Sequence, residues 1–113
     1  MEINPFNKYA ETGISIIGKL CMLNDYQQLR NRFNNMNIKG NYLIIDLSRL
    51  TFTSSHGLGE FISINNTLAR RKKKLILLNP RNEILSIISL AGIDKIITVL
   101  MSDEELEKEL TLG

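Results

Sequence analysis

A chain of 113 residues, 43% hydrophobic and 23% charged, has the size and make-up of one globular domain able to bury its own core, so a single domain spanning 1–113 is expected. Its 14 basic and 12 acidic residues nearly cancel at a net +2, which argues against direct nucleic-acid binding or an anionic membrane surface as the main partner. The one cysteine, Cys21, allows no internal disulfide and no thiolate metal cluster, and a reducing cytoplasm is the expected compartment.

The start, Met1-Glu2-Ile3-Asn4-Pro5, lacks the basic and apolar regions of a signal peptide. The longest uncharged apolar stretch, Ile84 to Ile93, is too short to span a bilayer. No repeat or linker divides the chain, and Pro5 and Pro80 fall at element edges.

In chain order, Ile14, Ile16 and Ile17 before Gly18 predict a strand. Asn24 and Asp25 then offer N-cap side chains to a helix whose stripe is Tyr26, Leu29, Phe33 and Met36. Tyr42 to Leu47 is an apolar run suited to a central strand buried on both faces, and Leu75 to Leu78 reads the same way. Between them, Gly57 to about Arg71 carries a second stripe of Leu58, Phe61, Ile62, Asn65, Leu68 and Ala69. The cations Arg70 to Lys74 sit near its C-terminal end, where the helix dipole favours them.

A third helix is expected from Asn79-Pro80, with Asn as cap, Ile84, Ile87, Ile88 and Ala91 inward, and Gly92 as its stop. Ile96 to Leu100 reads as a short strand. Ser102-Asp103-Glu104-Glu105 is a capping box opening a last helix with Leu106 and Leu110 on one face. This alternation predicts an α/β fold: a small mixed, largely parallel sheet of four or five strands, Tyr42–Leu47 central, with about four helices mainly on one face.

Polar density concentrates between Asp46 and Gly59, where a buried strand gives way to hydroxyl side chains and then to glycines opening a helix. Helix N-termini present unpaired N–H groups, so Ser54 and Ser55 lie where a phosphate is tolerated. The same serines also read as plain N-caps, the commonest use of Ser before a helix.

The segment resembles the signature of the STAS domains of bacterial anti-sigma factor antagonists: Asp-Leu-Ser, a few residues including a Phe, then Asp-Ser-Ser-Gly-Leu-Gly. The likeness continues through Lys74 to Asn79 and through Leu90-Ala-Gly-Ile-Asp-Lys-Ile-Ile97, in the family's order and spacing. Ser54 stands where the family has Asp, and His56 where it has Ser or Thr.

The resemblance implies a STAS-like fold and partner switching. The unphosphorylated antagonist binds an anti-sigma factor with serine kinase activity, freeing a sigma factor, until phosphorylation ends the binding and a serine phosphatase resets it. Ser55 falls on the phosphorylated serine, Ser54 is the alternative acceptor, and Ser54, Ser55, His56, Gly57 and Leu58 are the expected partner contacts. A STAS scaffold without a phosphoswitch, in a stress-signalling or lipid-transport assembly, is the competing possibility.

Other residues carry less. His56 beside Ser55 makes no nucleophile elbow Gly-x-Ser-x-Gly, so no catalytic residue and no enzyme activity is expected. As the only histidine, without acids beside it, it builds no metal site, and no phosphate-binding loop suggests a nucleotide, so no cofactor is expected. A response-regulator receiver domain would need an acidic pair after the first strand, where Gly18-Lys-Leu-Cys-Met offers none. The run Arg70 to Lys74 reads as a solvated turn, Cys21 as a small core residue and Asp46 as a loop-ordering carboxylate.

Overall fold

The computed structural model describes residues 1–112, in the order β1 (Glu2–Lys8), β2 (Glu11–Leu20), α1 (Leu23–Asn34), β3 (Tyr42–Asp46), β4 (Leu50–Thr53), α2 (Ser55–Arg70), β5 (Lys74–Leu78), α3 (Asn82–Leu90), a 3₁₀ turn (Ile93–Lys95), β6 (Thr98–Leu100) and α4 (Asp103–Leu112). The strands lie in the order β1-β2-β3-β5-β6, with β4 pairing the far end of β2. Among the described residues only the β1–β2 hairpin is antiparallel; the other pairs are parallel. The crossovers that parallel strands need are supplied by helices.

Leu43, Ile44 and Ile45 of β3 are fully buried, as a central strand covered on both faces requires. Alternate residues serve opposite faces. Leu43, Ile45, Leu75 and Leu77 pack with Tyr26, Leu29 and Phe33 of α1, Leu58, Phe61, Ile64 and Leu68 of α2, and Ile84 and Ile88 of α3. Tyr42, Ile44, Ile76 and Leu78 face the other way and meet Leu106 of α4, flanked by Phe6 and Leu110. Three helices thus cover one face and α4 alone covers the other.

The sheet has six strands rather than four or five. The additional ones carry weak patterns for physical reasons. β1 holds Glu2, Asn4, Pro5 and Asn7, residues tolerated because it is an edge strand and a proline there breaks no interior ladder. β4 is only Leu50–Thr53, with its two ends buried and its middle exposed, so no period-2 alternation marks it.

Three helix starts also move. α1 begins at Leu23 with Met22 as its N-cap, so Asn24 and Asp25 lie inside its first turn, and Asp25 accepts the Met22 N–H instead of capping the helix itself. α3 begins at Asn82, because Asn79 takes a left-handed φ of 57° and donates its N–H to Leu100 O at 2.6 Å instead of capping the helix. α2 begins at Ser55 instead of Gly57, and its inward stripe is Leu58, Phe61, Ile64 and Leu68 rather than one including Asn65 and Ala69. At its other end Lys72 takes a φ of 60°, Arg71 lies 5.7 Å from the Phe33 ring centroid, and the Lys73 Nζ donates to the carbonyls of Ile38 and Gly40. Lys73 is therefore half-buried and tied to the fold, while Arg71, though exposed, lies over the Phe33 ring; the other three cations are exposed, as a solvated turn requires.

Gly92, with a φ of 73°, follows α3 as the left-handed residue that ends it. Ser102 Oγ accepts the Glu105 N–H at 3.1 Å at the start of α4. Among the described residues no helix is long and apolar enough to cross a membrane.

Candidate functional site at the start of α2

The carbonyl of Leu20, last residue of β2, accepts both the Thr53 hydroxyl at 3.1 Å and the Ser54 N–H at 3.2 Å. These bonds tie the end of β4 to the end of β2 and fix where α2 can begin. Ser54 is extended, with φ −88° and ψ 171°, and its Oγ accepts the Gly57 N–H at 3.1 Å, an N-cap. Ser54 Oγ also lies 2.6 Å from the Tyr26 hydroxyl of α1.

Ser55 follows as the first residue of α2 and is exposed. No hydrogen bond involves its hydroxyl among the described residues. His56 is exposed, its ring stacked on that of Tyr26 with centroids 4.0 Å apart and planes 10° from parallel. One turn on, its Nε2 stands 3.5 Å from Glu60 Oε2. Glu60 is buried, and Arg30 of α1 grips both its oxygens, Nε at 2.6 Å and Nη2 at 2.8 Å. A fork of this kind satisfies a buried carboxylate, which is otherwise costly to keep out of water. The Glu60 carboxylate in turn holds the Arg30 guanidinium above its ordinary pKa.

The expected contact residues therefore divide. Ser55 and His56 face solvent, Ser54 is half-buried and committed to the cap, and Gly57 and Leu58 are buried. A Cβ on Gly57 would sit 2.7 Å from Leu20 O and closer still to Thr53 Oγ1, so only glycine lets α2 approach β2 here. Gly59 differs, since a Cβ there meets nothing within 4 Å. Gly59→Ala is accordingly expected to stabilise the fold by about 0.5–1 kcal/mol, because an exposed helical glycine is inferior to alanine by that amount. An unchanged or lowered melting temperature would contradict it.

The neighbouring strand end is ordered by Asp25, whose Oδ2 accepts the N–H groups of Cys21 at 3.0 Å and Met22 at 2.9 Å. The Cys21 bond is the main reason its carboxyl titrates below the ordinary 3.8, with partial burial opposing and the Met22 bond assisting. The unfolded carboxyl then binds more protons than the folded one through this range, so stability rises with pH there. The stabilisation is complete above 3.8 and is lost as pH falls through the lower folded value. In urea melts across the acid range, the stability gap between wild type and Asp25→Asn should close over that window; a gap constant with pH would contradict the assignment. Asp46 orders the other adjoining loop, its Oδ1 accepting the Ser48 N–H at 2.9 Å.

Sequence reasoning placed Tyr26 in a core stripe but missed its contacts with Ser54 and His56, and missed Arg30 and Glu60 altogether. The available signal was an acid one turn after His56 within the apolar stripe of α2. It also missed Met22 and Leu23, the N-cap and first residue of α1, and Phe52 of β4. These large apolar side chains are respectively 66%, 65% and 48% exposed, too much for core residues, and they belong to the segments that adjoin Ser54 and Ser55. Cys21 is half-buried rather than core. No three His, Cys, Asp or Glu side chains converge as a metal site among the described residues.

Compared with known proteins, residues 9–106 match the family model of the STAS domain. No curated protein matches the chain in sequence. Among solved structures, the anti-sigma factor antagonist SpoIIAA in its unphosphorylated form superposes with a TM-score of 0.76 at 19% identity, over 99% of this chain and 98% of that one. A Thermotoga maritima protein assigned as an anti-sigma factor antagonist, tm1081, gives 0.75 at 17% identity over 95% and 92%. The STAS domain of a SulP transporter from Vibrio cholerae gives 0.63 at 15% identity over 86% and 81%. At these identities the structural likeness speaks for the fold, and the family model, covering most of the chain, for descent: the chain belongs to the STAS domain family.

Proposed function

We propose that this protein is an anti-sigma factor antagonist, a non-enzymatic cytoplasmic binding module. Unphosphorylated, it docks on an anti-sigma factor with serine kinase activity and so frees a sigma factor. Phosphorylation of Ser55 ends the docking, and a serine phosphatase restores it. The observation that carries this reading is the placement of Ser55: an exposed hydroxyl in the first turn of α2, without a hydrogen bond among the described residues, beside a Ser54 whose own hydroxyl is occupied by Tyr26 and the Gly57 N–H. The likeness to SpoIIAA and to tm1081 supports it.

The physics of the switch follows from that placement. A phosphoserine carries about −1.5 to −2 charges at pH 7, which a helix N-terminus tolerates, so the fold survives modification. A partner surface seated over the same turn would have to desolvate that charge, and affinity falls. The exposed Met22, Leu23 and Phe52 suit a partner surface that is apolar around the acceptor.

Calorimetric titration with the anti-sigma factor tests the proposal: binding before incubation with ATP and none after it is the expected pair of results. The second reading, a STAS scaffold without a phosphoswitch, is favoured by the likeness to the SulP transporter domain. It would be upheld by a chain that binds no anti-sigma factor in either state.

A further inference from the structure

We propose that Tyr26 is the positioning residue of the Ser55 switch, a single buried side chain of α1 that immobilises the residues on both sides of the acceptor. The inference rests on the function proposed above. Tyr26 is 7% exposed, which leaves its ring little freedom to move. Its hydroxyl holds Ser54 Oγ at 2.6 Å, and its ring face carries the His56 imidazole at 4.0 Å. The His56 Nε2 also stands 3.5 Å from Glu60 Oε2, and Glu60 is itself clamped by Arg30. The two positions at which this chain departs from the family's Asp-Ser-Ser are thus the two that Tyr26 touches.

Phosphoryl transfer explains why this matters. Ser55 Oγ forms a bond to the γ-phosphorus of the ATP held by the kinase, the bond from that phosphorus to the bridging oxygen breaks and ADP leaves, and the hydroxyl proton passes to a base on the kinase. The reaction requires the attacking oxygen in line with the leaving oxygen, and misplacement by about 1 Å can cost on the order of 100-fold in rate. With Ser54 and His56 fixed by Tyr26, the backbone at Ser55 is fixed as well, and the acceptor oxygen keeps only its own χ1 rotation. The placement is built before the kinase arrives.

Two variants separate the contacts: Tyr26→Phe keeps the ring face and loses the hydroxyl, and Tyr26→Leu loses both. Using the full chain, the measurements are kcat and KM for phosphorylation by the anti-sigma factor kinase, amide hydrogen exchange at Gly57, and the His56 ring-proton shifts. Tyr26→Phe should lower kcat at least fivefold with KM within twofold, and speed exchange at Gly57 at least tenfold relative to core amides. The stacking shift of His56 should survive in Tyr26→Phe and vanish in Tyr26→Leu.

If Tyr26→Phe leaves both kcat and the Gly57 exchange at wild-type values, the proposal is overturned. It is equally overturned if all amides exchange faster in parallel while kcat is unchanged, which would make Tyr26 a core residue only. A wild type that the kinase does not phosphorylate counts against the phosphoswitch itself, and the Gly57 exchange then still decides whether Tyr26 orders the turn.

Discussion

Ser55→Asp is expected to bind the anti-sigma factor at least tenfold more weakly than wild type, a loss of about 1.4 kcal/mol, while Ser55→Ala binds as wild type does. The loss should come without unfolding. Ser55 is exposed at the first position of α2, and that first turn holds no acidic residue, so a carboxylate there meets an unopposed helix dipole. The fold itself should therefore be unharmed or stabilised by about 0.3–1 kcal/mol. Because the mimic adds one charge where phosphate adds nearly two, its effect is a lower bound on that of the phosphoprotein. Thermal melts and titrations on the same samples separate the two terms. A Ser55→Asp protein that binds as tightly as wild type would remove Ser55 from the interface.

Gly57→Ala should destabilise the fold by about 1–3 kcal/mol, the usual range for overpacking. The added methyl meets the Leu20 carbonyl at 2.7 Å and the Thr53 hydroxyl, both already hydrogen-bonded to each other. A backbone oxygen cannot rotate away, so α2 must lift from the end of β2 or the Thr53 bond must break. Either movement displaces Ser54, whose N–H also bonds Leu20 O. Gly57→Ala is thus expected to weaken partner binding along with stability, whereas Gly59→Ala, two residues on, should strengthen the fold. Equal melting temperatures for the two variants would show that the close contact at Gly57 is relieved at no cost.

The central parallel strands, the α1 stripe and the start of α4 were legible in the sequence because each rests on a local pattern. Tyr42 to Leu47 could be recognised as doubly buried from its unbroken apolar run, and Ser102 from its spacing to Glu105. β1 and β4 were not legible, since an edge strand may carry Pro5 and Asn4, and a four-residue strand has no room to show a period. The start of α2 was misplaced by two residues because Gly57 looks like an opening signal, when its need for glycine comes from Leu20 and Thr53 in another strand pair. The site divides in the same way. Ser54, Ser55 and His56 stand in a local motif, but the contacts of Tyr26 and Arg30 with them and with Glu60 join positions 28 to 30 residues apart. No periodicity carries that information.

The central claim, that Ser55 is the switch, is tested most directly by incubating the wild-type chain with the anti-sigma factor kinase and ATP, then mapping phosphate by intact mass and peptide fragmentation. One phosphate is expected, on Ser55, absent from Ser55→Ala, and accompanied by release of the anti-sigma factor. Phosphate on Ser54 instead, or none on either serine together with binding that Ser55→Asp leaves unaltered, would contradict it.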